Sequence, residues 1–178
     1  RKILNGNKTA DLQPTSVEAI FRIPIDQESR LPMADIFNPV DIDDFIVLNK
    51  DTEIQIQRFL DYYTYSDKII SSGLTVPNSI LMYGPPGCGK TVLAKVIGKR
   101  LGLPVVIARL DGLISSFLGS TSKNIRAVFD YAQKVPCILF LDEFDAIAKV
   151  RDDKHELGEL KRVVNSLLQN IDSLKNGS

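Results

Sequence analysis

The apolar stretch at 79–83 runs directly into Gly84-Pro85-Pro86-Gly87-Cys88-Gly89-Lys90-Thr91, and this junction restricts the fold more than any other feature of the chain. Two adjacent prolines fix φ and remove two backbone donors, so no helix or central strand continues through them. The glycines admit backbone conformations that other residues avoid. Beyond the loop, Val92, Leu93, Val96 and Ile97 recur at helical spacing, which predicts a helix over 90–101. A short buried strand at 79–83, a glycine loop and a helix therefore follow one another.

The loop fits G-x-x-x-x-G-K-[ST], and the strand before it and helix after it are the context that pattern requires. Glycines let successive backbone N–H groups curl around phosphate oxygens, and the start of a helix adds a favourable dipole. Lys90 is expected to meet the β- and γ-phosphates, and the Thr91 hydroxyl to ligate Mg²⁺. Cys88 occupies a variable position and contributes its backbone N–H rather than its sulfur. The competing reading is a Gly-Pro-rich turn with no ligand.

The rest of the chain alternates strands with helices. Residues 1–40 hold Pro14, Pro24, Pro32 and Pro39 and read as an arm or linker, with a strand pattern over 19–25. A helix is expected from Thr52, with Thr52 and Gln55 as a capping box and Ile56, Phe59, Leu60 and Tyr63 on one face, stopping before Gly73. A strand at 104–108, a helix at 122–132 and a strand at 137–141 follow, the last apolar throughout, as in parallel strands buried on both faces. A final amphipathic helix aligns Leu157, Leu160, Val163, Val164, Leu167, Leu168 and Ile171. This pattern is α/β: a mostly parallel sheet flanked by helices, with ligands at the carboxyl ends of the strands.

Asp142 and Glu143 end the 137–141 strand, so the topology carries them to the same sheet edge as the glycine loop. Asp142 is placed to hold Mg²⁺ through water, and Glu143 to orient or deprotonate a water attacking the γ-phosphate. The alternative is that both acids merely open a helix.

Other classes are disfavoured. The 22 basic and 22 acidic residues cancel, and no basic cluster suggests nucleic acid. No apolar run approaches the roughly 20 residues of a membrane-spanning helix. The first residues lack a signal-peptide core, and Cys88 and Cys137 match no metal spacing, so a reduced, cytoplasmic protein is expected. Asn49-Lys50-Asp51 superficially matches a guanine-reading motif, but Thr52 follows instead of Asp, and the stretch precedes the glycine loop. Tyr62, Tyr63 and Tyr65 lack a basic groove and are read as packing, at least for Tyr63. His155, the only histidine, lies among charged residues and is read as solvated.

Together, Ser79-Ile80-Leu81-Met82-Tyr83-Gly84-Pro85-Pro86-Gly87-Cys88-Gly89-Lys90-Thr91 and Ile138-Leu139-Phe140-Leu141-Asp142-Glu143-Phe144-Asp145-Ala146-Ile147-Ala148 resemble the AAA branch of the AAA+ ATPases, over about 41–172. Arg162-Val163-Val164-Asn165-Ser166-Leu167-Leu168 matches the family's next helix. The resemblance implies a P-loop fold that binds ATP with Mg²⁺ and hydrolyses it. It makes 41–178 a partial ATP-binding domain, working as a homo-oligomer, most often a hexameric ring, on polypeptide substrates. It carries the family's pore-loop triplet onto Phe117-Leu118-Gly119 and its adenine-contacting backbone onto Ile46 and Val47, although Asp43-Asp44-Phe45-Ile46-Val47-Leu48 lacks the family's glycine. A packed strand is an equal reading of Ile46 and Val47, and a core position the plain reading of Phe117. The resemblance also implies a sensor strand between the 79–83 and 137–141 strands, arginine fingers and a helical lid, all beyond Asp172. The chain as given is thus expected to be less stable than a whole domain and to bind nucleotide better than it hydrolyses it. The other functions open to it are a nucleotide-dependent switch or scaffold and a DNA-handling AAA+ protein.

Overall fold

The computed structural model describes residues 23–26, 30–110, 118–144 and 157–175; side chains at 118–120, 157–162 and 175 are left aside. Its sheet is built on one strand. In β2, Val105–Arg109, the run Val105, Val106, Ile107 and Ala108 is buried throughout, and β-branched residues favour the pleated conformation. β2 pairs in parallel with β3, Ile138–Asp142, from Val105 opposite Ile138 to Arg109 opposite Asp142. On its other side it pairs antiparallel with a short strand β1, Asp35–Phe37, giving the order β1-β2-β3. β1 lies within the 1–40 stretch read as arm or linker, and a 3-10 turn, Pro39–Asp41, follows it. Of the strand pattern over 19–25, residues 19–22 lie outside the described residues, and within 23–25 only Ile25 pairs, in an isolated bridge with Pro32.

Successive residues of β2 face opposite layers, as the period of two dictates. Val106 and Ala108 pack with Ile125, Val128 and Phe129 of helix α4, Leu118–Lys134, and with Val163 and Leu167 of helix α5, Leu157–Lys175. Val105 and Ile107 face the other way, toward Ile42, Phe37 and Phe140. There the helix α3, Lys90–Leu101, lies close to the sheet: a Cβ on Gly98 would collide with Val105 Cγ2 and stand 3.0 Å from the Leu103 carbonyl oxygen. Leu93 and Ile97 of α3 join Ile56 and Leu60 of helix α1, Lys50–Thr64, in a third cluster that Ile138 also touches. A short helix α2, Ser66–Ser71, continues from α1. Burying roughly 1.5–3 kcal/mol of apolar free energy per large side chain, these clusters fix the layers.

Five local expectations are corrected. The cap of α1 is Asn49, whose Oδ1 accepts the Thr52 N–H at 2.8 Å, so Thr52 lies inside the helix instead of capping it. Replacing Asn49 with alanine is expected to cost about 1 kcal/mol in urea unfolding, and Gln55→Ala to leave the midpoint in place. Tyr63 is 42% exposed and does not belong to the buried face, which Ile56 and Leu60 form alone with partly buried Phe59. β3 is half-buried along its length, not covered on both faces. The strand expected over 79–83 is not formed: Leu81 is 83% and Tyr83 90% exposed, and only Met82 packs inward, against the α1–α3 cluster. An extended segment becomes a strand only where a neighbour takes its backbone hydrogen bonds. Among the described residues, neither 79–83 nor the outer edge of β3 has such a neighbour. Val92 and Leu168, expected on apolar faces, are about half exposed.

Candidate functional site

The loop at 84–89 turns the chain into α3. Gly87 and Gly89 hold φ of +77° and +86°, in the left-handed region, and Gly89 caps the helix from that conformation. A side chain at either position would strain the backbone. The Gly89 carbonyl accepts the Leu93 N–H at 2.8 Å, which starts the helical ladder and leaves the N–H groups of its first turn directed outward from the loop.

Lys90 folds back over this loop. Its Nζ donates to the carbonyl oxygens of Gly84 at 2.9 Å and Pro85 at 3.0 Å, and stands 3.7 Å from Cys88 Sγ. The ammonium thus sits above the same turn whose amides form the cradle. A Cβ on Gly84 would come within 3.1 Å of Cys88 Sγ, so the turn is closely folded as well as glycine-rich.

Thr91, one residue into α3, donates its hydroxyl to Asp142 Oδ2 at 3.1 Å, across 51 residues of chain. The other carboxylate oxygen, Oδ1, accepts the Glu143 N–H at 2.9 Å. Glu143 has φ of +55°, unusual for a residue with a side chain, so the chain turns sharply as it leaves β3. Backbone strain of this kind costs about 1–3 kcal/mol and concentrates where function needs a particular geometry. Lys90, Thr91, Asp142 and Glu143 are thereby gathered at the carboxyl end of β3 and the amino end of α3.

Thr91 and Asp142 bring hard oxygen donors together. Such a pair suits Mg²⁺, which keeps several waters and takes one or two protein oxygens plus those of a substrate phosphate. No cluster of three or more His, Cys, Asp or Glu able to hold a metal occurs among the described residues.

The remaining site candidates divide. Ile46 is partly buried against the α1–α3 cluster together with Leu48, whereas Val47 is 80% exposed beside the equally exposed Phe45. Of the two, Val47 presents its side chain to solvent. Leu118 begins α4, with its side chain left aside; Phe117 and His155 lie outside the described residues. Burial pushes the Cys137 thiol up to about 11, and burial followed by Cys137 raises Tyr131, so this pair stays protonated at neutral pH. Reading the sequence missed the contacts between α3 and the 42–44 segment: Arg100 Nε with Asp44 Oδ1 at 3.0 Å, and Lys99 Nζ with the Ile42 carbonyl at 2.5 Å. Only the charge reversal between Asp43-Asp44 and Lys99-Arg100 signals them in advance.

Comparison with known proteins agrees with this geometry. The profile of the ATPase family associated with various cellular activities (AAA) matches residues 80–178, just over half of the chain. A AAA family ATPase, y4kL, of Sinorhizobium fredii is 54% identical over 110 residues, 62% of this chain and 33% of its own. The peroxisomal ATPase PEX1 of Saccharomyces cerevisiae is 41% identical over 109 residues, 61% of this chain and 10% of its own. The nuclear valosin-containing protein-like protein of Mus musculus is 40% identical over 110 residues, 61% of this chain and 13% of its own. The chain thus spans about a third or less of the length of these relatives. No helix among the described residues is long and apolar enough to cross a membrane. With the P-loop, Thr91 and the Asp142-Glu143 pair gathered at one sheet edge and the family profile covering them, the chain belongs to the AAA family of P-loop ATPases.

Proposed function

We propose that the chain is the nucleotide-binding part of an enzyme that hydrolyses ATP to ADP and phosphate, using Mg²⁺, and that works as a ring of like subunits. The observation that supports this reading is the Thr91–Asp142 hydrogen bond, which brings two hard oxygens together beside the glycine loop. Loop amides and Lys90 bind and orient the phosphates. Bound at Thr91 and Asp142, Mg²⁺ would supply positive charge against the phosphate oxygens. Glu143, next in the chain, takes the proton of the attacking water; transfer of that proton is what a carboxylate contributes to a dissociative phosphoryl transfer.

The test is magnesium dependence. In Thr91→Val and Asp142→Asn variants of the full-length protein, the gain in ATP affinity between EDTA and Mg²⁺ is expected to shrink by about ten-fold or more, since each removes a charge-assisted contact worth roughly 1.5–3 kcal/mol. Titration with a fluorescent ATP analogue measures it, and an undiminished magnesium effect in both variants would place the metal elsewhere.

Coupling of hydrolysis to polypeptide remodelling rests on Phe117 and Leu118 alone. Phe117→Ala in the full-length protein is expected to leave ATP binding intact and abolish substrate unfolding. A variant that still processes substrate fits a nucleotide-dependent switch instead.

A further inference from the structure

The segment 42–48 carries no regular secondary structure, yet it is held at several points, mostly by α3. Ile42 is buried against Val105 and Ile107, and Ile46 and Leu48 turn inward to the α1–α3 cluster. Phe45 and Val47, between and beside them, face solvent. Among the described residues, no backbone–backbone hydrogen bond engages the amides of 43–48.

What anchors this strip is charge on the last two turns of α3. Lys99 Nζ donates to the Ile42 carbonyl, and Arg100 Nε pairs with Asp44. One turn earlier, Lys95 Nζ lies 3.4 Å from the centroid of the Phe37 ring, at the end of β1. Three cations of one helix thus secure the chain from β1 to Asp44, and that same helix begins at the phosphate loop. An extended peptide without a ladder has many conformations, and fixing it beforehand removes an entropic cost from any ligand it meets.

We propose that Lys99 and Arg100 are positioning residues for base recognition: through Ile42 and Asp44 they hold the 45–48 backbone and Val47 at a set distance from the phosphate loop, so that one rigid helix spaces the base site from the phosphate site. This rests on the reading that the backbone at Ile46 and Val47 meets adenine. Its consequence is that Arg100 and Lys99 affect the base-dependent part of affinity alone. The phosphate loop is made by residues 84–91 and owes nothing to Asp44.

The experiment compares binding of ATP, GTP and inorganic tripolyphosphate to the full-length protein, by competition against a fluorescent ATP analogue. Wild type is expected to bind ATP more tightly than either competitor. An exposed ion pair contributes up to about 1 kcal/mol, so Arg100→Ala and Asp44→Asn should each weaken ATP by about two- to five-fold. Lys99→Met with Arg100→Ala should weaken it about ten-fold. Tripolyphosphate affinity stays at the wild-type value in all of them, and the charge swap Arg100→Asp with Asp44→Arg restores ATP binding. In steady-state turnover KM for ATP rises while kcat holds. Equal losses for ATP and tripolyphosphate would mark a merely structural contact and overturn the proposal, as would single variants indistinguishable from wild type. A wild type that does not prefer ATP over tripolyphosphate sinks the base-site reading itself, and with it the role of Arg100.

Discussion

Glu143→Gln in the full-length protein is expected to lower ATP turnover by about 10²- to 10⁴-fold while leaving ATP binding in place. The amide keeps the shape of the side chain but cannot take a proton at neutral pH. Glutamine also keeps the backbone N–H that donates to Asp142 Oδ1. Phosphate release under saturating ATP measures the loss, and titration with a fluorescent nucleotide confirms that the site remains filled. Unchanged turnover would remove Glu143 from the role of base. A loss of affinity equal to the loss of turnover would instead make it a structural support for Asp142.

Gly98→Val is expected to unfold the domain or bring it to the edge of unfolding, an effect above about 3 kcal/mol. Gly98 lies in the middle of α3, where alanine would ordinarily be the better helix former by about 1 kcal/mol. Here a Cβ has nowhere to go: the Val105 methyl occupies its place, and the Leu103 carbonyl at 3.0 Å is backbone that closes the loop between α3 and β2. Ile138 Cδ1, at 3.7 Å, bounds the third side. Gly98→Ala should therefore destabilise by roughly 1–3 kcal/mol despite its helix propensity, and adding Val105→Ala should recover part of that loss, since the two positions share one space. Urea unfolding of the two single variants and the double variant measures this coupling. A stabilised Gly98→Ala would mean that α3 does not approach the sheet this closely.

How far the chain could be read in advance depended on how local each signal was. The helix expected at 90–101 is Lys90–Leu101, because the glycine loop, the apolar spacing and Gly102 all act within that stretch. β3 was legible from five apolar residues ended by an acid, and its carboxyl end does carry Asp142 to Thr91. The failures are contacts that periodicity does not encode. The pattern at 79–83 is apolar enough for a strand, but pairing depends on a neighbour that its own residues do not specify. Tyr63 has helical spacing and lies just off the apolar stripe of α1, where a 100° step decides burial. The Arg100–Asp44 pair joins residues 56 apart in sequence, and neither has a local pattern that names the other.

The antiparallel placing of β1 gives the sheet a direction. One flank of β2 is occupied by a short strand from upstream of the nucleotide loop, so the outward main-chain groups of β2 are no template for another molecule. The two margins are then unlike: one is the three-residue β1, and the other is β3, whose outer side ends in Asp142 and Glu143. A strand that joined along β3 would arrive on the side that leads to the glycine loop. A truncation that removed residues through Phe37 would strip β1 from β2, leaving backbone groups of β2 as well as β3 bare and the sheet liable to self-association without touching a single ATP contact.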